Sequence, residues 1–266
     1  MIIAAARSGA RTGYVTRLGD DEFGRMFLEL WRKEGVDTRG IAADPQAFTA
    51  VYFVTHGATG HAFSYLRAGS AASRMHPEDL PLELIRSARI VHASGISLAV
   101  AQAATQAALA AARGEVSFDS NLRLKLWGLE RARAAIARAA ALADYFFPSL
   151  EDARALSGRE GEEANLDWAH GLGAKTVFLK LGAEGVWVSD GGKRERIPGH
   201  TVLAVDATGA GDCFCGAALA RLAAGDSVRE AARYANAAAA LATTGFGAVA
   251  PLPRPEAVRA LLATSR

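Results

Sequence analysis

Val205-Asp206-Ala207-Thr208-Gly209-Ala210-Gly211-Asp212-Cys213-Phe214 is the stretch on which the reading of this chain turns. The β-prone residues Thr201–Val205 precede it and the helix-forming run Cys213–Ala224 follows it, so the sequence predicts strand, glycine turn and helix in succession. Glycines let the backbone approach an anion closely, and the free N–H groups at a helix start, aided by the helix dipole, hold phosphate charge. Asp212 falls in the first helical turn, placed to accept the proton of an attacking hydroxyl while backbone amides stabilise a transferred group. Spacing alone fits plain capping by an N-terminal aspartate equally well. Two other phosphate-binding patterns are excluded. The dinucleotide fingerprint requires glycine where Phe214 stands, and a Walker loop requires Gly-Lys-Ser/Thr where no lysine occurs.

Working outward, short β-rich runs alternate with helical patterns. Arg89–His92, Glu115–Asp119, Asp144–Phe147, Thr176–Leu181 and Thr201–Val205 read as strands. Leu98–Ala112 and Glu130–Leu142 read as alanine-rich helices between them. This alternation predicts an α/β fold with a mostly parallel sheet and helices on both faces. With 266 residues, half of them hydrophobic, the chain suffices for one large domain. Its net charge of +2 gives no reason to invoke nucleic acid or an anionic membrane. Only Cys213 and Cys215 are present, which allows neither a disulfide framework nor zinc-ligand spacing and fits a reducing compartment. They are most simply small packing residues of the helix. The apolar opening Met1–Ala6 is too short for a membrane span or signal peptide, so a cytoplasmic protein is expected.

Nearer the start, Asp21–Glu34 spaces Phe23, Met26, Phe27, Leu30 and Trp31 as a helical stripe predicted to face the core. Ala50–Thr55 and His61–Leu66 flank Gly57-Ala58-Thr59-Gly60 and read as a β-hairpin, which inserted into an α/β chain suggests a lid. The expected division is a core of residues 1–35 and 69–266 with a lid of residues 36–68.

Asp206-Ala207-Thr208-Gly209-Ala210-Gly211-Asp212, with Phe214 and Gly216 following, resembles the C-terminal signature of the PfkB, or ribokinase-like, family of ATP-dependent sugar kinases. The resemblance implies that Asp212 is the catalytic base and that the amides of Gly209, Ala210 and Gly211 form an anion hole. It also implies that Asp206 belongs to a monovalent-cation region, potassium being the candidate ion. Thr16–Gly24 is similar to the family's early Gly-x-Asp-x-x-Gly segment. Lys180-Leu181-Gly182-Ala183-Glu184-Gly185 resembles its nucleotide-side strand and turn, and Asn236 with Gly245-Phe246-Gly247 resembles the wall around the adenine. Read without the family, these are a capped helix, a β-turn and helix packing. Lys180, Gly182, Gly185, Thr208, Asn121 and Asn236 are thereby implied as nucleotide contacts. The family's Asn-x-x-Glu element, which organises Mg2+ through water, corresponds to Ser149-Leu150-Glu151-Asp152. Serine and aspartate depart from that pattern, so either Asp152 or Glu151 takes the role, unless the run is simply an acidic helix start after Pro148.

Phe118–Trp127 follows a strand, so its polar side chains are expected at the carboxyl end of the sheet, where α/β folds place ligands. This stretch is similar to the Asp-x-Asn-x-Arg…Trp pattern of 2-keto-3-deoxygluconate kinases, as is Tyr65–Ser73 in the hairpin region. A sugar acid needs fixed positive charge, which the planar guanidinium of Arg67 or Arg123 supplies in bidentate fashion. The subfamily's substrate contacts then fall on Tyr52, Tyr65, Arg67, Ile96 and Arg123, and the implied reaction phosphorylates the terminal 6-hydroxyl. Family members carry, ahead of the helix at which this sequence opens, a strand with an acidic substrate ligand and a Gly-Gly motif. The resemblance therefore implies that this sequence lacks that first strand. A kinase of a neutral sugar such as fructose or ribose, and a non-catalytic nucleotide- or sugar-acid-binding remnant, are the alternatives. Lids of this family often pair between subunits, which implies a homodimer or a higher homo-oligomer.

Overall fold

The computed structural model describes residues 1–57 and 60–264. Helix α1 (Ile2–Arg7) leads to strand β1 (Thr16–Gly19), helix α2 (Glu22–Lys33) and strand β2 (Ile41–Asp44). The hairpin β3 (Val51–Gly57) and β4 (Gly60–Leu66) comes next, then α3 (Leu82–Ser87), β5 (Ile90–Ser94), α4 (Gly95–Val100) and α5 (Gln102–Ala111). Strand β6 (Glu115–Asp119), α6 (Leu129–Ala140), β7 (Tyr145–Phe146), α7 (Leu150–Ser157), α8 (Glu162–Gly171) and β8 (Thr176–Lys180) continue the alternation. The chain closes with the antiparallel strands β9 (Gly185–Ser189) and β10 (Arg194–Pro198), then α9 (Ala210–Ala224), α10 (Val228–Ala242) and α11 (Pro255–Thr264).

The six-stranded sheet runs β10-β9-β8-β7-β6-β5, parallel from β5 to β8 and antiparallel at β9 and β10. Because side chains alternate across a strand, neighbouring residues feed opposite cores. Phe146, Val177 and Leu179 enter a core with Leu98, Ile136 and Leu166 of α4, α6 and α8. Phe147, Phe178 and Val186 enter the other, with Phe214 and Leu222 of α9, Tyr234 of α10 and Val258 of α11. Phe147 and Phe178 stack with ring centroids 4.6 Å apart. Helices thus cover both faces, as the alternation requires. Among the described residues no helix is long and apolar enough to cross a membrane.

Several expectations need correction. Thr201–Val205 is not a strand: the sheet edge is taken by β10, which ends at Pro198, and Leu203 is 86% exposed. The segment is tied down instead where the N–H groups of Val205 and Asp206 both donate to the Thr243 carbonyl. Leu98–Ala112 is not one helix, since it breaks at Ala101 (φ −140°, ψ 66°) into α4 and α5. The helix after the glycine turn begins at Ala210 rather than Cys213. In α2 only Trp31 of the expected stripe is buried, while Phe23 and Met26 are half exposed. Strands β1 and β2, which pair in parallel with each other, have four residues each, too few for a period to be read, and the antiparallel pair β9–β10 is absent from the sequence reading.

The hairpin is present as β3 and β4, with Tyr52 directly opposite Tyr65. Ala58 and Thr59, at the centre of its expected turn, lie outside the described residues. Strand β2, inside the range expected for the lid, pairs with β1 of the expected core.

Candidate active site

Helix α9 is buried nearly all round, with Cys213, Cys215, Ala217 and Ala218 at 0–1% exposure, so its amino end is fixed rigidly at the carboxyl ends of the strands. Packing against α1 is close enough that a Cβ on Gly216 would lie 2.4 Å from the Met1 carbonyl oxygen. The turn ahead of α9 requires a positive φ at Gly209 (+80°), where a side chain would also press on Ala248 at 3.1 Å. Asp206 is buried and clasps two loops: Oδ1 accepts the Thr208 N–H at 2.9 Å and Oδ2 accepts the Gly247 N–H at 2.9 Å. The Ala210 N–H donates to the Ala207 carbonyl at 3.1 Å. Those of Gly209, Gly211 and Asp212 have no hydrogen-bond partner among the described residues. Free donors at the head of a 15-residue helix are an anion site in the ordinary sense of helix electrostatics.

Asp212 is about half exposed at the edge of this turn, with its Oδ1 3.9 Å from the Met1 amino group. Around it stand groups from distant parts of the chain. Burial raises the Tyr52 hydroxyl above its ordinary range, the Asp212 charge adds to this, and Arg67 and Arg123 oppose it. Tyr14 behaves likewise, raised by desolvation and then by Asp212, with Arg67 opposing. His92 of β5, whose Nδ1 is 2.9 Å from Ser117 Oγ, is pushed down to about 3 by burial, against the pull of Asp212. The hairpin residues and the glycine turn therefore share one electrostatic neighbourhood.

On the hairpin side the Arg67 guanidinium lies 5.7 Å from the ring centroids of both Tyr52 and Tyr65. Its Nε is buried without a hydrogen-bond partner. Arg123 is exposed and bonds its own turn through the Leu122 carbonyl at 2.7 Å, and Ile96 is half-buried at the start of α4. Asn121 has φ +30°, rare for a residue with a side chain, and its buried Oδ1 is unpartnered.

The nucleotide-side candidates divide. Lys180 ends β8 and donates to Asp119 Oδ1 at 2.9 Å, beside the glycine turn. Gly182 (φ +62°) and Gly185 (φ +102°) shape the turn into β9. Thr208 Oγ1 is buried and unpartnered, whereas Asn236 spends its amide on the Pro198 carbonyl at 2.6 Å. Asp152 Oδ2 accepts from Ser120 Oγ at 2.7 Å and the Leu122 N–H at 3.0 Å, bracing the turn after β6, and Glu151 is exposed. Among the described residues no group of three or more His, Cys, Asp or Glu side chains forms a metal site. Asp119, Tyr14 and His92 have no assigned role in the sequence patterns. Asp119 was findable as the last residue of a strand at the ligand end of the sheet; Tyr14 and His92 carry no sequence signal.

Residues 1–255 match the pfkB family of carbohydrate kinases. The chain is 39% identical to the 2-dehydro-3-deoxygluconokinase of Thermoproteus tenax, over 98% of this chain and 82% of that protein. It superimposes on a putative ribokinase II from E. coli, solved with ATP and Mg2+, with TM-score 0.92 and 27% identity over 99% of this chain and 86% of the other. The fructokinase of Vibrio cholerae O395, bound to fructose, ADP and calcium, gives TM-score 0.87 and 32% identity over 98% of this chain and 88% of the other. A ribokinase-like sheet, a free-amide turn at the head of α9 and a match over nearly the whole length make this chain a member of the pfkB family of carbohydrate kinases, phosphotransferases that act on a sugar hydroxyl.

Proposed function

We propose that the chain transfers the γ-phosphoryl group of ATP to the 6-hydroxyl of 2-keto-3-deoxygluconate. The observation that carries the sugar-acid reading is Arg67, a guanidinium set against two neighbouring tyrosine rings with a buried, unpartnered Nε, in the neighbourhood of Asp212. A carboxylate on the substrate offers the planar, charge-assisted acceptor that such a group lacks, and a neutral sugar does not. The relative from T. tenax supports the same choice.

In the reaction, Asp212 takes the proton of the 6-hydroxyl as its oxygen forms a bond to the γ-phosphorus. The bond from that phosphorus to the β–γ bridging oxygen breaks, and ADP leaves. The N–H groups of Gly209, Gly211 and Asp212 stabilise negative charge on the group in transit. Tyr52, Tyr65, Arg67, Ile96 and Arg123 hold the sugar acid, and Thr208, Lys180, Asn121, Gly182, Gly185 and Asn236 line the nucleotide side. Magnesium shields the phosphates when bound. Asp152, whose Oδ2 already accepts two hydrogen bonds, would hold such a metal through water rather than directly. Asp206 fits the task of holding the turn better than that of ligating potassium, since both its oxygens already accept backbone N–H donors. The half-exposed hairpin residues Phe53 and Leu66 suit pairing with a second copy, so a homodimer through this lid belongs to the same reading. A reducing, cytoplasmic setting suits the two free thiols.

The test is ATP-dependent phosphorylation of 2-keto-3-deoxygluconate, with fructose and ribose in parallel. The sugar acid is expected to give the highest kcat/KM. A preference for fructose, with Arg67→Ala leaving its KM unchanged, would reject the sugar-acid reading. The Vibrio fructokinase makes fructose the informative competitor.

A further inference from the structure

Beneath the head of α9 lies a buried ion pair to which the reaction above assigns no counter-charge role. Lys180 Nζ is 2.9 Å from Asp119 Oδ1, and their side chains are 13% and 3% exposed. The ammonium is also 3.8 Å from Cys215 Sγ, which in turn lies 3.5 Å from Asp119 Oδ2. A Cβ placed on Gly211 would sit 3.6 Å from Lys180 Nζ, so the ammonium lies directly against the first turn of α9, next to the free N–H groups. Strands β6 and β8 deliver the two charges from either side of β7, and the backbone fixes both ends. Lys180 N donates to the Pro148 carbonyl at 2.8 Å, and Asp119 Oδ1 also receives the Asn121 N–H at 3.3 Å.

Burial is the largest influence and works against the ammonium, but the groups that oppose it, Asp119 foremost, together hold Lys180 above the ordinary lysine range. Burial, and then Asp119, push the Cys215 thiol well above its ordinary range, so it is neutral and does not compete as a counter-charge. One cation therefore faces two anion positions: Asp119, always occupied, and the phosphate position at the turn, occupied only when nucleotide is bound.

We propose that Asp119 and Lys180 form a charge clamp under the phosphate turn, in which Asp119 anchors the ammonium and restrains how strongly it holds the nucleotide phosphates. Asp119 is a positioning residue that acts through Lys180, and the inference rests on the kinase reading. In a site of low polarity a full positive charge beside ADP holds it tightly, and product release is then slow. The resident carboxylate tempers that attraction. Removing the cation and removing its counter-ion must therefore act on nucleotide affinity with opposite signs. A pair that served stability alone would move both variants the same way, because breaking either partner of a buried pair leaves an uncompensated group.

The experiment measures the dissociation constant of ADP by calorimetry, together with kcat and KM for ATP, on the full chain as wild type, Lys180→Met, Lys180→Arg and Asp119→Asn. Lys180→Met is expected to weaken ADP about tenfold and to lower kcat about tenfold, with the KM of the sugar unchanged. Asp119→Asn is expected to tighten ADP about threefold while lowering kcat through slower release. Lys180→Arg should restore ADP affinity to within about threefold of wild type. Weakening of ADP by both Lys180→Met and Asp119→Asn, or no change in either, would overturn the clamp. If Lys180→Met fails to fold, the sign of the Asp119→Asn change decides alone. Wild-type protein that binds ADP but phosphorylates no sugar would reject the kinase reading, while the signs of the ADP shifts still judge the clamp. Wild-type protein that does not bind ADP would overturn both.

Discussion

Asp212 and the free amides beside it stand at the head of α9, a helix walled in by α1, α10 and the central sheet, with Asp206 and the Asp119–Lys180 pair buried around the turn. Tyr52, Tyr65 and Arg67 stand on a two-stranded hairpin in which Tyr52, Phe53 and Leu66 are 40, 58 and 52% exposed. At the turn, geometry is over-determined by packing and by backbone hydrogen bonds. At the hairpin it rests on one strand pairing and on contacts among the side chains themselves, and a lone hairpin is marginal in water. The difference suits the two tasks proposed for them. Phosphoryl transfer needs donors fixed before the reaction, while choice of sugar can be altered by changing a few side chains on a separable element.

The comparison breaks first at the base. Asp212→Asn keeps the shape of the turn but removes the proposed proton acceptor, so kcat is expected to fall about 10³- to 10⁴-fold with nucleotide binding retained, as steady-state kinetics and calorimetry would read. A loss under tenfold would mean that the turn binds without its aspartate doing the chemistry.

Rigidity of the turn is tested by Gly216→Ala, whose methyl would meet the Met1 carbonyl oxygen at 2.4 Å and the Ala5 nitrogen at 2.9 Å. Backbone atoms cannot swing aside, so stability in urea denaturation should fall by about 3 kcal/mol. An unchanged midpoint would show that the contact between α1 and α9 is looser than the distances imply.

On the hairpin, Arg67→Ala should raise the KM for 2-keto-3-deoxygluconate about thirtyfold, from the loss of about 2 kcal/mol of charge-assisted hydrogen bonding. Stability and the KM for ATP should barely move, because the hairpin lies outside the two large cores. An equal loss with fructose would break the assignment of Arg67 to a carboxylate.

The smallest effect is in the dependence on pH. His92 is neutral when folded, pushed down to about 3, and titrates near 6.5 when unfolded. Between these values the unfolded chain binds the extra proton, so stability is present above pH 6.5 and is lost as pH falls. From pH 7.5 to 5.5 this histidine should cost about 1.4 kcal/mol, read as a fall in Tm that His92→Gln removes. An identical acid slope in the variant would assign the loss to other groups.

Much of the candidate site's position is legible in particular residues. Glu115–Asp119 is a strand with the bounds its residues suggested, and Asp21 caps α2 through the Gly24 N–H at 2.8 Å. The glycine turn before α9 was legible because glycine, small residues and an acid at fixed offsets leave few conformations open. The β9–β10 edge was missed because Gly185 and Pro198 look like turn residues, although they open and close strands. Thr201–Val205 was read as a strand for its β-branched residues, yet strand propensity expresses itself only where a neighbour offers a ladder. Phe23 and Met26 follow helical spacing but are half exposed, because spacing tells which residues share a face and not what lies opposite.

The alternation of strands and helices, the two-sided core and the turn carrying Asp212 are all written in the residues, since each depends on a local period or on backbone conformations that few residues allow. Only packing sets Arg67 against two tyrosine rings in the neighbourhood of Asp212, lets Asp206 clasp the Gly247 loop, and makes Asp119 and Lys180 meet under the turn. Those pairs join residues far apart in the chain, and no local propensity encodes a partner that only packing brings within reach.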